Sequence, residues 1–242
     1  IIALLGGLGG FLLRLYHNQT GYDPDTGLPY AGLFWPLPLL IAAAAVVVVF
    51  LLRTIPKERN DTPFSVRFAA SPCSAALLTA GTVLLLLSGA CSIAQAAAGT
   101  PAQFLPGVLT VVCCVSLFMI GHGCVHRSSF SPNVLFIPVG YYVVELILNY
   151  RTHSVNPVLE HYYVEILALS CLLLVFYKFS AFPFGHGDLR QLCLWSAMAT
   201  ILACTAAADC LGNWEQLFFY AAGALLSLFV LTVCHKEGYR PP

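Results

Sequence analysis

The chain has 242 residues, 59% of them apolar and 9% charged, and its 11 Lys and Arg balance its 11 Asp and Glu. Soluble domains carry about 25% charged residues, so this composition, with a mean hydropathy of +0.82, excludes a water-soluble globular domain. Zero net charge with no basic run gives no footing for nucleic acid, which leaves the lipid bilayer as the partner that composition demands.

Eight apolar segments follow in chain order, at about 1–15, 35–52, 73–97, 103–121, 133–149, 157–179, 189–211 and 214–234. Most match the roughly 20 residues needed to cross ~30 Å of hydrocarbon as a helix, so the expected fold class is all-α, a polytopic transmembrane bundle forming a single domain over 1–242. The first segment is short and starts at Ile1 rather than Met, so residues are expected upstream. It lacks a small-x-small cleavage site and reads as a span rather than a signal peptide. Its Gly6 and Gly10 have the spacing that lets two helix backbones approach closely. Pro36 and Pro38 open the second span, with Phe34 and Trp35 as interfacial anchors. Ser71-Pro72, Ser131-Pro132 and Asn156-Pro157 each place a capping side chain before a proline at the first helical position. Thr100 with Gln103, Asp188 with Gln191 and Asn213 with Gln216 fit capping boxes or close relatives. Pro106 is expected to kink the fourth span.

Orientation follows from charge. With the first span entering from the cytoplasm, Arg53, Lys57, Arg59, Arg67, Arg127, Lys178, Arg190, Lys236 and Arg240 lie inside, and only Arg14 and Arg151 outside. That asymmetry is the positive-inside pattern of an eight-span protein with both termini in the cytoplasm. The ten cysteines fall in spans or at their ends, Cys124 alone being read as a loop residue. They lack CxxC spacing and read as small buried hydrophobes.

The first outer loop contains Gly21-Tyr22-Asp23-Pro24-Asp25-Thr26-Gly27-Leu28-Pro29. Asp23-x-Asp25-x-Gly27 lacks the remaining ligands of a calcium loop, and reads as a tight turn with proline at its second position. On this motif, and on a fainter echo in Asn156-Pro157-Val158-Leu159, the chain resembles uncharacterised multi-span membrane proteins of bacteria. The resemblance implies a bacterial plasma-membrane location and carries no catalytic residue with it.

Ionisable groups in a bilayer are costly unless paired or facing a cavity, so each is a functional candidate. On this topology Arg14, Glu145, Arg151, Glu160, Glu165 and Asp209 all fall in the outer half of the spans, joined by His17, His153 and His161 at the surface. Glu165 is the deepest acid, with His161 one turn before it. Glu145 has Asn149 on its face one turn outward. The fifth and sixth spans are joined by a short loop and are expected to be antiparallel neighbours, able to present Glu145, Asn149, His161 and Glu165 to one outward cavity. Asp209 ends a helix, where the dipole disfavours an anion, so Arg14 is its expected partner, and Arg151 the expected partner of Glu145. His122 and His126 are four apart, a metal-compatible spacing, but Gly123 and the missing acid leave them only a weak candidate. No cofactor is implied.

Three functions compete. Acids gathered in one half of the bilayer suggest a transporter or solute-binding component that takes a proton or a small cationic solute. Polar residues that only hold helices together would make a scaffold or assembly protein with a membrane-protein partner. An intramembrane enzyme acting on lipid-like substrates has less support, since His-Glu-x-x-His, Gly-x-Ser-x-Gly and paired-Asp motifs are absent.

Overall fold

The structure, a computed structural model, describes residues 2–21, 36–53, 64, 68, 70–126, 131–153 and 162–237. Its described residues form eight α-helices: α1 (Ile2–Thr20), α2 (Pro36–Leu52), α3 (Pro72–Ala97), α4 (Phe104–His126), α5 (Phe136–His153), α6 (Tyr163–Ser180), α7 (Leu189–Ala207) and α8 (Trp214–Glu237). Short 3-10 turns, Pro101–Gln103, Pro132–Leu135 and Phe182–Phe184, precede α4, precede α5 and follow α6. Six helices, α3 to α8, are long and apolar enough to cross a membrane. The chain is a multi-pass integral membrane protein.

Helix starts are satisfied locally where backbone donors have no water to turn to. Ser71 caps α3 in a reciprocal box with Ser74, Asp188 accepts from the Arg190 and Gln191 amides, and the Glu215 amide donates to Asn213 Oδ1 at 3.1 Å. Thr100 and Ser131, expected as caps, make no side-chain cap bond, because the 3-10 turns after them tighten the chain instead. Pro106 falls in the first turn of α4, where a missing N–H costs no helical hydrogen bond. Asn156-Pro157 lies outside the described residues.

Helices α3 to α8 pack each on the next, and α8 returns to pack along α3. The result is a closed ring of six helices in sequence order. The closing contact is the most extensive one because α3 turns a continuous stripe toward it, Ser74, Leu78, Gly81, Leu85, Ser88 and Ser92, all buried at three- and four-residue spacing. Helix α7, itself part of the ring, also packs against α1, with α2 beside both. Of its apolar stretch 72% is buried, against 22% for the span containing α5. Its run of Ser, Ala and Thr permits that centrality. The α1 face toward it repeats in the same way, through Ala3, Gly7, Gly10, Arg14 and His17. Gly7 faces Cys204, and a Cβ on Gly10 would collide with the Thr205 hydroxyl.

Several boundaries differ from the sequence reading, among them the end of α5, which runs past 149 to His153. Helix α1 continues past Leu15 to Thr20, since Arg14 is buried and paired rather than marking a membrane edge. Helix α4 continues through Gly121 and Gly123 to His126, so Cys124 is a fully buried helical residue and not a loop cysteine. Helix α7 stops at Ala207 rather than near 211: three successive i to i+3 bonds, from the amides of Ala208, Asp209 and Cys210, tighten the chain into the turn before α8. All ten cysteines are free thiols.

At the ends of α4 and α6, Phe68 is fully buried against Phe179 and Phe182, with centroids 5.0 and 4.9 Å away and rings edge-on. Phe64 stacks onto the same group at 4.9 Å from Phe68, and the Ala70 amide donates to the Cys124 carbonyl at 3.0 Å. This aromatic cluster closes the ring at the end where α3 starts.

Candidate functional site

A cavity of about 160 Å³ lies at the opposite end of the ring. Five helices build it, and the reason is periodicity. In α5 the four-residue step from Tyr141 to Glu145, Asn149 and His153 puts all four on one face, and all four line the cavity. Ser88 and Ser92, one turn apart, come from the last third of α3. Pro106 and Thr110 come from the start of α4, Leu169 from α6, and Glu215, Phe219 and Tyr220 from the first turns of α8.

Glu215 is fixed from α3. Ser92 Oγ donates to Glu215 Oε1 at 2.6 Å and Ser88 Oγ to its backbone carbonyl at 2.9 Å. Glu145 lines the same cavity. Thr110 Oγ1 donates to the Pro106 carbonyl at 2.8 Å and lies 3.1 Å from the Tyr141 hydroxyl. Among the described residues, no lysine or arginine lines the cavity.

Glu165 sits one layer behind this wall and is 6% exposed. Three groups that do line the cavity converge on its Oε2: Asn149 Nδ2 donates at 3.0 Å, the Tyr220 hydroxyl at 3.4 Å, and His153 Nε2 stands 3.7 Å away. The last contact becomes an ion pair when the imidazole is protonated. His153 is held flat on Tyr162, centroids 5.2 Å apart at 12°.

Asp209 faces the other way. Arg14 Nε and Asn18 Nδ2 both donate to its Oδ1 at 2.7 Å, and the Arg14 guanidinium lies 5.9 Å over the Tyr163 ring. Arg14 is 2% exposed and Asp209 10%, a buried pair within the bundle.

Of the residues singled out from sequence, the structure thus places Glu145 and Asn149 in the cavity wall, Glu165 behind it, and Asp209 with Arg14 outside it. Arg151 is exposed on the same helix, six residues on from Glu145. His161 and Glu160 lie outside the described residues. His122 and His126 do share a face, with rings 4.4 Å apart. Both are exposed, and among the described residues no group of three or more His, Cys, Asp or Glu is placed to hold a metal.

Sequence reasoning missed Glu215, Ser92, His153 as the partner of Glu165, and Tyr220. Glu215 reads in sequence as an ordinary first-turn acid favoured by the helix dipole. A signal was present in Ser88 and Ser92, two hydroxyls one turn apart in an apolar helix.

No protein-family model matches the chain, and no curated protein or solved structure matches it.

Proposed function

We propose that the chain is one eight-span domain of a bacterial plasma membrane, with both termini cytoplasmic and the acidic cavity opening outward, and that it binds a proton or a small cationic solute there for transport. The observation that carries this reading is that two carboxylates, Glu145 and Glu215, line one cavity to which no lysine or arginine contributes among the described residues. Two carboxylates so placed favour a positive occupant between them, since ionised like charges in a weakly polar site destabilise each other until neutralised. Glu165 supports the wall through Asn149 and Tyr220. The cluster of Phe64, Phe68, Phe179 and Phe182 at the other end fits a site accessible from one side at a time.

A second reading, a scaffold or assembly protein, is favoured by Asp209 and Glu165, each engaged by partners from other helices. Cation uptake into vesicles carrying the purified protein, compared with Glu145→Gln, Glu215→Gln and the double variant, separates the two. Transport expects uptake that falls in each single variant; flux equal to that of empty vesicles, with unchanged stability in all three variants, favours the scaffold. Orientation is tested by single cysteines in a Cys-free background, with position 25 expected to be labelled from outside and position 59 only from inside.

A further inference from the structure

We infer that the cavity selects a small alkylammonium ion, a protonated amine with a short hydrocarbon tail, over a metal ion or a zwitterion; this rests on the cation-binding reading and narrows it. Size comes first. A cavity of about 160 Å³ is well below the 300–1,000 Å³ of sites for drug-sized ligands. It is close to the ~150 Å³ that accommodates benzene, a molecule of about six heavy atoms.

The direction of the hydrogen bonds comes second, and it is independent of charge. Ser88, Ser92 and Thr110 have each given their hydroxyl hydrogen to a protein acceptor, and Tyr220 has given its own to Glu165. Asn149 has given Nδ2 to Glu165, and its Oδ1 is a buried acceptor with no partner among the described residues. What these side chains retain is lone pairs. Among the described lining residues, free donors remain on the Gln103 and Gln216 amides, the second Asn149 Nδ2 hydrogen and the His153 ring, and the free acceptors, led by the two carboxylates, outnumber them. An –NH₃⁺ group carries three donors and no acceptor. A zwitterion would bring a carboxylate that finds no lysine or arginine here.

The third observation separates an amine from a metal ion. Pro106, Leu148, Leu169 and Phe219 form an apolar part of the lining that offers nothing to a hydrated ion but buries a hydrocarbon tail. Phe219, Tyr141 and Tyr220 add ring faces of the kind that attract organic cations.

The test is calorimetric titration of the purified protein in nanodiscs with butylammonium, methylammonium, 1-butanol, Na⁺, K⁺ and Mg²⁺. Butylammonium is expected to bind saturably, with affinity lower by at least ~10-fold in Glu145→Gln and in Glu215→Gln, the loss of one charged hydrogen bond. The neutral isostere 1-butanol should give no such signal. Leu148→Phe, which fills the apolar side and leaves both acids in place, should weaken butylammonium much more than methylammonium. Binding of Na⁺, K⁺ or Mg²⁺ that is sensitive to Glu145→Gln, without alkylammonium binding, overturns the ligand class and leaves the cation reading standing. Absence of any cation signal sensitive to either glutamate, in variants whose melting matches the parent, overturns both.

Discussion

Arg14 and Asp209, 195 positions apart in sequence, meet through a 2.7 Å contact from Nε to Oδ1 inside the bundle. Removing one partner from such a pair strands the other charge, at a cost of about 3–5 kcal/mol, whereas replacing both with apolar groups costs far less. Arg14→Met and Asp209→Leu are therefore each expected to destabilise strongly, and the double variant by less than their sum. Asn18 loses its acceptor in both Asp209 variants, which limits the recovery. Unfolding in detergent micelles measures this, and strictly additive losses would show that the pair is not coupled.

Glu165 predicts a graded series. Glu165→Leu leaves Asn149 Nδ2 and the Tyr220 hydroxyl without an acceptor, at about 1–3 kcal/mol for each stranded donor. Glu165→Gln keeps one oxygen at the same reach and should lose roughly half as much. Equal losses in the two variants would mean that Glu165 acts through volume and not through its hydrogen bonds.

Contact between α1 and α7 is limited by the absence of a side chain. Gly10→Ala drives a Cβ into the Thr205 hydroxyl, an overpacking expected to cost about 1–3 kcal/mol. Thr205→Ala in the same chain removes the colliding atom and should restore most of that stability. Gly9→Ala meets only Leu40 at 3.7 Å, ordinary van der Waals contact, and is expected to be near neutral. Thermal melts of the three variants beside the parent decide it, and a Gly9→Ala loss as large as that of Gly10→Ala would contradict the close approach.

Phe68 is fully buried among aromatic rings, so Phe68→Ala should cost about 3–5 kcal/mol. Phe64→Ala, at a half-buried position, should cost clearly less. Comparable losses, read from denaturant unfolding, would remove the case for Phe68 as the centre of that cluster.

Local features of this fold were legible in the sequence and long-range closure was not. Ser71, Asp188 and Asn213 announce their helices because a cap needs only the next three residues. The Arg14 to Asp209 pairing could be anticipated too, since an acid at a helix C-terminus calls for a cation and few were on offer. The packing of α8 against α3, however, joins Ser92 to Glu215 across 123 positions, and nothing in either segment names the other. The candidate site depends on that closure, which is why Glu145 and Asn149 were visible from the period of one helix while Glu215 was not.

The Arg14 to Asp209 contact also imposes an order on biosynthesis. A ribosome adding about 5–20 residues per second reaches position 209 roughly 10–40 s after position 14. Through that interval the guanidinium lacks the Asp209 carboxylate, and its long side chain can reach for the headgroups and water at the membrane surface. Helix α1 can settle against the bundle only when α7 emerges and brings Thr205 and Asp209 with it. Helix α1 is thus made long before it finds its seat, and waits at the bilayer until α7 is made.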